Sequence, residues 1–298
     1  MKKLFYLFVL LFAISGCSLN INNADSNKDD SNLNENVPTV VPDNSEQVGN
    51  VITNTFGDFK ISSVVNNAYT KNGNVIKFTK GGEYTVSGTL NGSLVFDSSI
   101  TDSVTLFLNN ANITSSDNHA IYWMKDTGKI EVKAVENTTN TITVKADASK
   151  LFSAIESENN IEIGGSGKLT IKGLQRHAVK GSNIEIKGTV NLTIEADKDG
   201  LHGKHILISG GNTTIKNCTD AIQADVNSSN LKGTILVEEG TLTITGCKRA
   251  FKAAVSLTID QITGSTVTIN VNSTSTAVEA PTINYVSGKF YINGASYK

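Results

Sequence analysis

A short phrase returns along most of this chain, and it constrains the fold more than any other feature. Most copies contain a threonine between two apolar residues, followed by a polar residue. The copies are TITVKA at 141, KLTIKG at 168, NLTIEA at 191, NTTIKN at 212, TLTITG at 241 and TVTINV at 266. Alternation of that kind predicts a strand with one buried face. The copies recur every 21 to 29 residues, a spacing typical of repeats that stack on one another.

Two further elements complete each repeat. One reads HAIYW at 119, KLFSA at 150, HAVKG at 177, DGLHG at 199, DAIQA at 220, RAFKA at 249 and TAVEA at 276. The other reads IEIGG at 161, IEIKG at 184, ILISGG at 206, ILVEEG at 235 and LTID at 257. Three short strands per unit without a helical period predict an all-β parallel β-helix. A β-sandwich also has many short strands, but it does not align residues coil after coil.

Stacking the coils predicts which residues share a column. The buried column is expected to contain Val144, Ile171, Ile194, Ile215, Ile244 and Ile269. The column at the start of the second element is expected to contain His119, Lys150, His177, Asp199, Asp220, Arg249 and Thr276. Two carboxylates on consecutive coils would therefore lie about 4.8 Å apart, the usual spacing of strands.

The N-terminus carries a different pattern. Residues 1–16, MKKLFYLFVLLFAISG, combine two lysines, an apolar run too short to span a membrane, and small residues before Cys17. This resembles a bacterial lipoprotein signal peptide, which implies cleavage before Cys17 and lipidation of that cysteine; an ordinary secretory signal is the alternative. Residues 17–50 are rich in Asn, Asp and Ser, which predicts a disordered tether. The folded domain would then span 51–298 and lie in the cell envelope, outside the cytoplasm, held by the lipid alone.

Charge and cysteine content exclude several classes of function. Loss of Lys2 and Lys3 changes the formal net charge from −2 to −4, so the chain has no basic footprint for nucleic acid. There is no CxxC motif, so neither a redox site nor a zinc site is indicated. Cys218 and Cys247 fall on neighbouring coils, within reach of a disulfide, although two buried thiols fit the column equally well. We expect the chain to act as a monomer.

Asp199 and Asp220 allow two interpretations. Like charges so close need a cation, a shared proton or basic neighbours. His177 and Arg249 could supply basic neighbours and form a structural ion ladder. With Asp197 and Asp225 added, the cluster becomes rich in oxygen, as calcium requires.

The longest insertion, QADVNSSNLKGT, lies between Ile222 and Ile235. Long loops on a rigid scaffold often carry binding, and this one begins beside Asp225.

Longer phrases make a family resemblance visible. They are GGEYTVSGTLNGSLVFD, VTLFLNNANITSSDNHAIYW, IESENNIEIGGSGKLTIKG, DKDGLHGKHILISGGNTTIKNCTDAIQAD and KGTILVEEGTLTITG, and they cover about residues 80 to 260. In this order they resemble the bacterial carbohydrate-binding β-helix family, which is related in shape to polysaccharide lyases. The resemblance implies a right-handed parallel β-helix with three strands per coil, calcium ions, and binding of acidic sugars such as polygalacturonate, or of cellulose. Family coils repeat an Asp-Gly-Ile corner, which this chain keeps at 199–201 and nearly keeps at 220–222, so we expect fewer calcium ions, held by Asp197, Asp199, Asp220 and Asp225.

Three functions compete at this point. The first is a non-catalytic, surface-anchored protein that binds an acidic polysaccharide through residues able to pair with uronate carboxylates, namely Lys172, Lys180, His202, Lys204 and Lys216. The second is a calcium-dependent polysaccharide lyase, for which Lys198, Lys248 or Arg249 would be the base. The third is an adhesin or structural surface protein with a protein partner.

Overall fold

The computed structural model describes residues 42, 44–123, 128–226, 232–272 and 275–297. Within these ranges every regular element is a β-strand, and none of the described residues forms a helix that could cross a membrane. The expected signal peptide, the lipidated Cys17 and most of the tether lie outside the described residues.

The strands follow one another closely along the chain. The first nine are β1 Asn44–Val48, β2 Val51–Phe56, β3 Phe59–Ser63, β4 Tyr69–Asn72, β5 Val75–Phe78, β6 Gly82–Asn91, β7 Ser93–Phe96, β8 Val104–Ser115 and β9 Ile121–Trp123. The next nine are β10 Lys129–Ala134, β11 Thr139–Val144, β12 Ile155–Ser157, β13 Asn160–Gly165, β14 Lys168–Gly173, β15 Val179–Lys180, β16 Asn183–Ala196, β17 Asp199–Gly203 and β18 His205–Lys216. The last nine are β19 Asp220–Ala224, β20 Thr234–Thr245, β21 Arg249–Ala253, β22 Ser256–Ile259, β23 Val267–Asn272, β24 Thr276–Glu279, β25 Thr282–Tyr285, β26 Lys289–Ile292 and β27 Ala295–Ser296.

These strands form two sheets. The larger sheet has 17 strands and carries two of the three elements of each repeat, whereas the smaller sheet has 10 strands and carries the third. Coil stacks on coil through parallel pairs, such as β16 with β18 and β17 with β19. The described antiparallel pairs lie toward the two ends of the chain, in the hairpins β1–β2, β4–β5 and β26–β27 and beside β3. The predicted all-β, parallel β-helix is confirmed.

The core consists of aliphatic columns, one residue per coil. One column contains Ile113, Ile142, Ile171, Ile194, Ile215, Ile244 and Val271, all buried. Strand β16 contains two elements of its repeat, and it bends between them near Gly188, which has a φ of 72°. Glycine adopts this left-handed conformation without a steric penalty, so it can turn the corner of the coil.

The register of the buried column differs from the sequence prediction in the first and the last copy of the repeated phrase. Ile142 and Val271, rather than Val144 and Ile269, pair into the buried column. Each error is a slip of two residues, which leaves the inward and outward faces unchanged, so the apolar pattern alone could not detect it. In the smaller sheet Ile155 pairs with Val179, which places Ser153 rather than Lys150 beside His177.

The two ends of the solenoid are closed by aromatic residues and by extra strands. Strand β1 pairs with β2, so the folded chain begins before residue 51 and takes in the last part of the expected tether. At the other end Phe290 is buried, with its ring centroid 6.0 Å from that of Phe251 and 4.8 Å from that of Tyr297. These rings cover apolar surface that the terminal coil would otherwise expose.

Candidate functional site

Two columns of polar side chains lie along the smaller sheet, on the side that faces away from the core. Successive side chains of a strand point to opposite faces, and the inward positions here, such as Leu201 and Phe251, are fully buried. The outer column contains one residue from each of six consecutive coils: Tyr122, Glu156, Lys180, His202, Gln223 and Lys252. The corner column lies three residues earlier on each coil: His119, Ser153, His177, Asp199, Asp220 and Arg249.

A glycine lets the coil turn closely at the centre of this site. A β-carbon on Gly200 would lie 2.6 Å from the carbonyl oxygen of Ala221 and 2.7 Å from Cγ2 of Ile215. Neither contact is sterically allowed, so the Asp-Gly-Leu corner requires glycine at this position. The tight turn holds the carboxylate of Asp199 against the neighbouring coil.

Asp199 lies between two histidines. Its Oδ2 atom is 2.8 Å from Nδ1 of His202 and 3.0 Å from Nδ1 of His177. The two imidazole centroids are 4.4 Å apart, with an interplanar angle of 33°. Because Asp199 and His177 are both buried, these charges and dipoles act on one another with little screening by water.

These surroundings shift the protonation equilibria. Burial alone would raise the pKa of Asp199, but its contacts with His177 and His202 outweigh burial and hold that pKa well below the usual range. Burial lowers the pKa of His177, and the adjacent His202 and Arg176 act in the same direction against Asp199. At neutral pH the site therefore contains an ionised carboxylate beside a neutral buried imidazole.

His202 has a second acidic neighbour. Its Nε2 atom lies 3.5 Å from Oδ2 of Asp225. The carboxylate of Asp225 in turn accepts bonds of 3.0 and 2.9 Å from the side-chain amide of Gln223. The ring of His202 is thus flanked by a carboxylate at each nitrogen, which fixes its orientation.

Asp220 is paired with a cation rather than with another acid. Arg249 donates from Nε to Oδ1 at 2.5 Å and from Nη2 to Oδ2 at 2.8 Å, and Nη1 reaches Glu279 at 3.1 Å. These carboxylates raise the pKa of the guanidinium. This two-pronged contact neutralises an aspartate that is only 1% exposed.

Glu156, in the outer column, is also paired with a cation from a neighbouring coil. It accepts a bond of 2.5 Å from Nζ of Lys180 and one of 2.7 Å from the hydroxyl of Ser153. Burial would raise the pKa of Glu156, but the nearby charges of His119 and Lys180 lower it overall. The ring of His119 stacks on Tyr122 with a centroid separation of 4.6 Å.

The four aspartates expected to hold calcium are not gathered into one cluster. Among the described residues, the group of three or more acidic, histidine or cysteine ligand atoms close enough to share an ion is His177, Asp199 and His202. Asp220 faces Arg249, and Asp197 is exposed on the preceding turn. Calcium requires six to eight oxygen ligands, so imidazole and guanidinium neighbours do not fit calcium at this corner. The ion-ladder interpretation matches the observed contacts.

The five residues expected to bind the polysaccharide lie on two different faces. Lys180 and His202 are neighbours in the outer column, and Lys204 is in the turn after β17. Lys172 and Lys216 lie on the larger sheet, on either side of Glu195. The Nζ atom of Lys172 is 3.4 Å from this glutamate.

Three residues of the outer column escaped the sequence analysis: Glu156, Gln223 and Lys252. Glu156 was missed because KLFSA was aligned three residues out of register. The dipeptide Ala-Ile or Ala-Val, present in HAIYW, SAIES, HAVKG, DAIQA and TAVEA, would have set the register correctly.

A disulfide joins the turns beside the corner column. Cys218 and Cys247, on consecutive coils, are bonded, with their Cα atoms 4.5 Å apart. Of the two alternatives left open by the sequence, the structure has the cross-link. The long insertion contributes residues 223–226 and 232–234 to the described structure, whereas residues 227–231 lie outside the described residues.

Comparisons with known proteins agree with this architecture. The fold matches the structure of a polysaccharide lyase-like protein from C. thermocellum, solved as a gadolinium derivative, with a TM-score of 0.66 and 24% sequence identity. The match covers 78% of this chain and 94% of that one. A search of curated proteins finds no match. A model of the family described as carbohydrate-binding domain-containing proteins matches residues 72–296, well over half of the chain, and the chain therefore belongs to this carbohydrate-binding family.

Proposed function

We propose that the chain binds an acidic polysaccharide without cleaving it, and that the polymer lies along the outer face of the smaller sheet. The observation that carries this proposal is the run Lys180, His202, Gln223 and Lys252, which places hydrogen-bonding side chains on four consecutive coils. Steps of about 4.8 Å put the two lysines roughly 14 Å apart along one line. A linear polymer can contact every step of such a line.

The two lysines can still accept a ligand. Their side chains are 33% and 31% exposed, although Lys180 pairs with Glu156 and Lys252 lies 3.9 Å from Asp220. An ammonium group has three donors, so each lysine can also donate to a uronate carboxylate. Between them the column itself presents the imidazole of His202 and the amide of Gln223, and the carboxylate of Asp225 lies beside both of these side chains.

Aromatic stacking contributes little to this surface. Trp123 is fully buried in the core, where its ring lies 6.1 Å from that of Phe96. Tyr122 is the aromatic member of the outer column, and it already stacks on His119. Charge and hydrogen bonding are therefore the main sources of affinity.

Lyase activity is the rival proposal, because the matched protein from C. thermocellum is described as polysaccharide lyase-like. Of the three candidate bases, Arg249 is engaged by two carboxylates that raise its pKa, so it does not accept a proton at neutral pH. Lys198 is exposed on the turn before Asp199. These contacts favour binding without cleavage.

Two parts of the proposal come from the sequence. The lipidation of Cys17 would hold the domain at the cell envelope, and labelling with a fatty acid that a Cys17→Ser variant fails to incorporate tests it. Calcium dependence also stays a prediction, although the histidines beside Asp199 and the guanidinium beside Asp220 do not favour calcium at that corner.

Affinity electrophoresis of the full chain tests the proposal. We expect retardation in gels containing polygalacturonate and little retardation in gels containing a neutral glucan. Parallel gels with calcium and with a chelator show whether the ion takes part. Release of unsaturated uronate would establish the lyase instead, and no retardation in any gel would favour a surface protein with a protein partner.

A further inference from the structure

We propose that His177, Asp199 and His202 bind a divalent transition-metal ion of the zinc class. Two imidazole nitrogens and one carboxylate oxygen lie within 4.8 Å of one another. They come from two neighbouring coils, β17 and the one before it, so the scaffold brings them together before any ion arrives. Imidazole and carboxylate ligands suit zinc, with metal–ligand distances of about 2.0–2.2 Å.

A buried atom without a hydrogen bond points into this cluster. Nδ1 of His177 is inaccessible to solvent and has no hydrogen-bond partner, since its 3.0 Å contact with Asp199 is not aligned as a hydrogen bond. Buried polar side-chain atoms are almost always satisfied, and an exception calls for an explanation such as an absent ion. A metal ion between His177 and Asp199 would satisfy both groups.

The surroundings of His202 match those of a metal-bound histidine. While Nδ1 faces the cluster, Nε2 faces Asp225 at 3.5 Å on the opposite side of the ring. Histidines that bind metals usually donate their other ring N–H to a carboxylate or carbonyl, which fixes the tautomer. Gln223 holds Asp225 in place for this role.

Three protein ligands leave a coordination position open. His202 belongs to the outer column and its side chain is 22% exposed, so a water molecule or a sugar oxygen could occupy that position. The contact with sugar rests on the proposed function. The binding of the metal does not rest on it.

Titration calorimetry of the untagged full chain with zinc chloride, without any sugar, tests the site. We expect one ion per chain. His202→Gln should weaken binding by at least about 100-fold, and Asp225→Asn by about 10–100-fold, the usual effect of removing a carboxylate behind a metal-bound histidine. His205→Gln is the matched control, because His205 lies nearby with Nδ1 bonded to the hydroxyl of Thr234 and should leave the affinity unchanged.

Cobalt(II) gives a second readout, since an ion bound in a four-coordinate site absorbs visible light strongly and the spectrum should be lost in His202→Gln. Absence of zinc binding would overturn the proposal, as would equal affinity in His202→Gln and the unmodified chain. Thermal unfolding of each variant shows whether it is folded. Because no polysaccharide is present, failure here is distinct from failure of the proposed function.

Discussion

Replacing Arg249 by Met should destabilise the protein strongly, because it strands a buried carboxylate. Arg249 makes both of the short contacts with Asp220, and Asp220 is only 1% exposed. Removing one partner of a buried ion pair costs about 3–5 kcal/mol, since the remaining charge is left without compensation. Lys252 lies 3.9 Å from Asp220 and can move closer, so we expect the lower end, about 3 kcal/mol.

Urea unfolding at neutral pH measures this effect. A repeat solenoid can lose cooperativity, so the urea dependence of the unfolding free energy must match that of the unmodified chain before the energies are compared. Lys77→Met is the control: Lys77 pairs with Asp97 but is 46% exposed, so its loss should cost no more than about 1 kcal/mol.

The double variant Arg249→Met with Asp220→Leu decides the cause. Replacing both members of a buried pair by apolar residues is often neutral or stabilising, so it should recover most of the loss. A cost below about 1 kcal/mol for the single variant, or a double variant no more stable than the single one, would refute the reasoning.

Three further predictions concern stability. Burial in the folded chain lowers the pKa of His177, so the unfolded chain binds a proton at this residue at a higher pH than the folded chain does. The free energy of unfolding should therefore fall as the pH drops below about 6.5. Urea unfolding measured across pH should show a weaker dependence in this range for His177→Gln than for the unmodified chain. Gly200→Ala should lower the free energy of unfolding by about 1–3 kcal/mol, because the new methyl group overlaps the carbonyl oxygen of Ala221, and an unchanged midpoint of urea unfolding would contradict the geometry. Reduction of the Cys218–Cys247 bond should cost about 3.6 kcal/mol, since the sequence separation is 29 residues, and the double serine variant should not respond to reductant.

Much of the fold was predictable because the repeats are themselves the structure. The alternation in KLTIKG and its copies identifies the buried and exposed positions of each strand. Because each repeat can bury its apolar face only against its neighbours, the repeats must stack into a solenoid. The register at Val144 and Ile269 was not predictable in this way, because a slip of two residues keeps the same faces.

The candidate site was predicted only in part. The pairing of Asp199 with Asp220 followed from the spacing of DGLHG and DAIQA and is present in the structure. The partners of each carboxylate were not determined by spacing, because side-chain direction decides whether Asp199 meets a histidine or another acid. The lysines were spread over two sheets for the same reason: Lys172 and Lys180 are close in sequence but lie on different faces.

The most direct test of this account asks which face holds the polysaccharide. Binding to polygalacturonate should be measured by affinity electrophoresis for the full chain with Lys180→Gln and Lys252→Gln combined, and for a matched variant with Lys172→Gln and Lys216→Gln. Each variant loses two partly exposed lysines, so the change in net charge is the same. We predict that retardation is lost in the first variant and kept in the second. Equal retardation of both variants, or loss only in the second, would contradict binding along the smaller sheet.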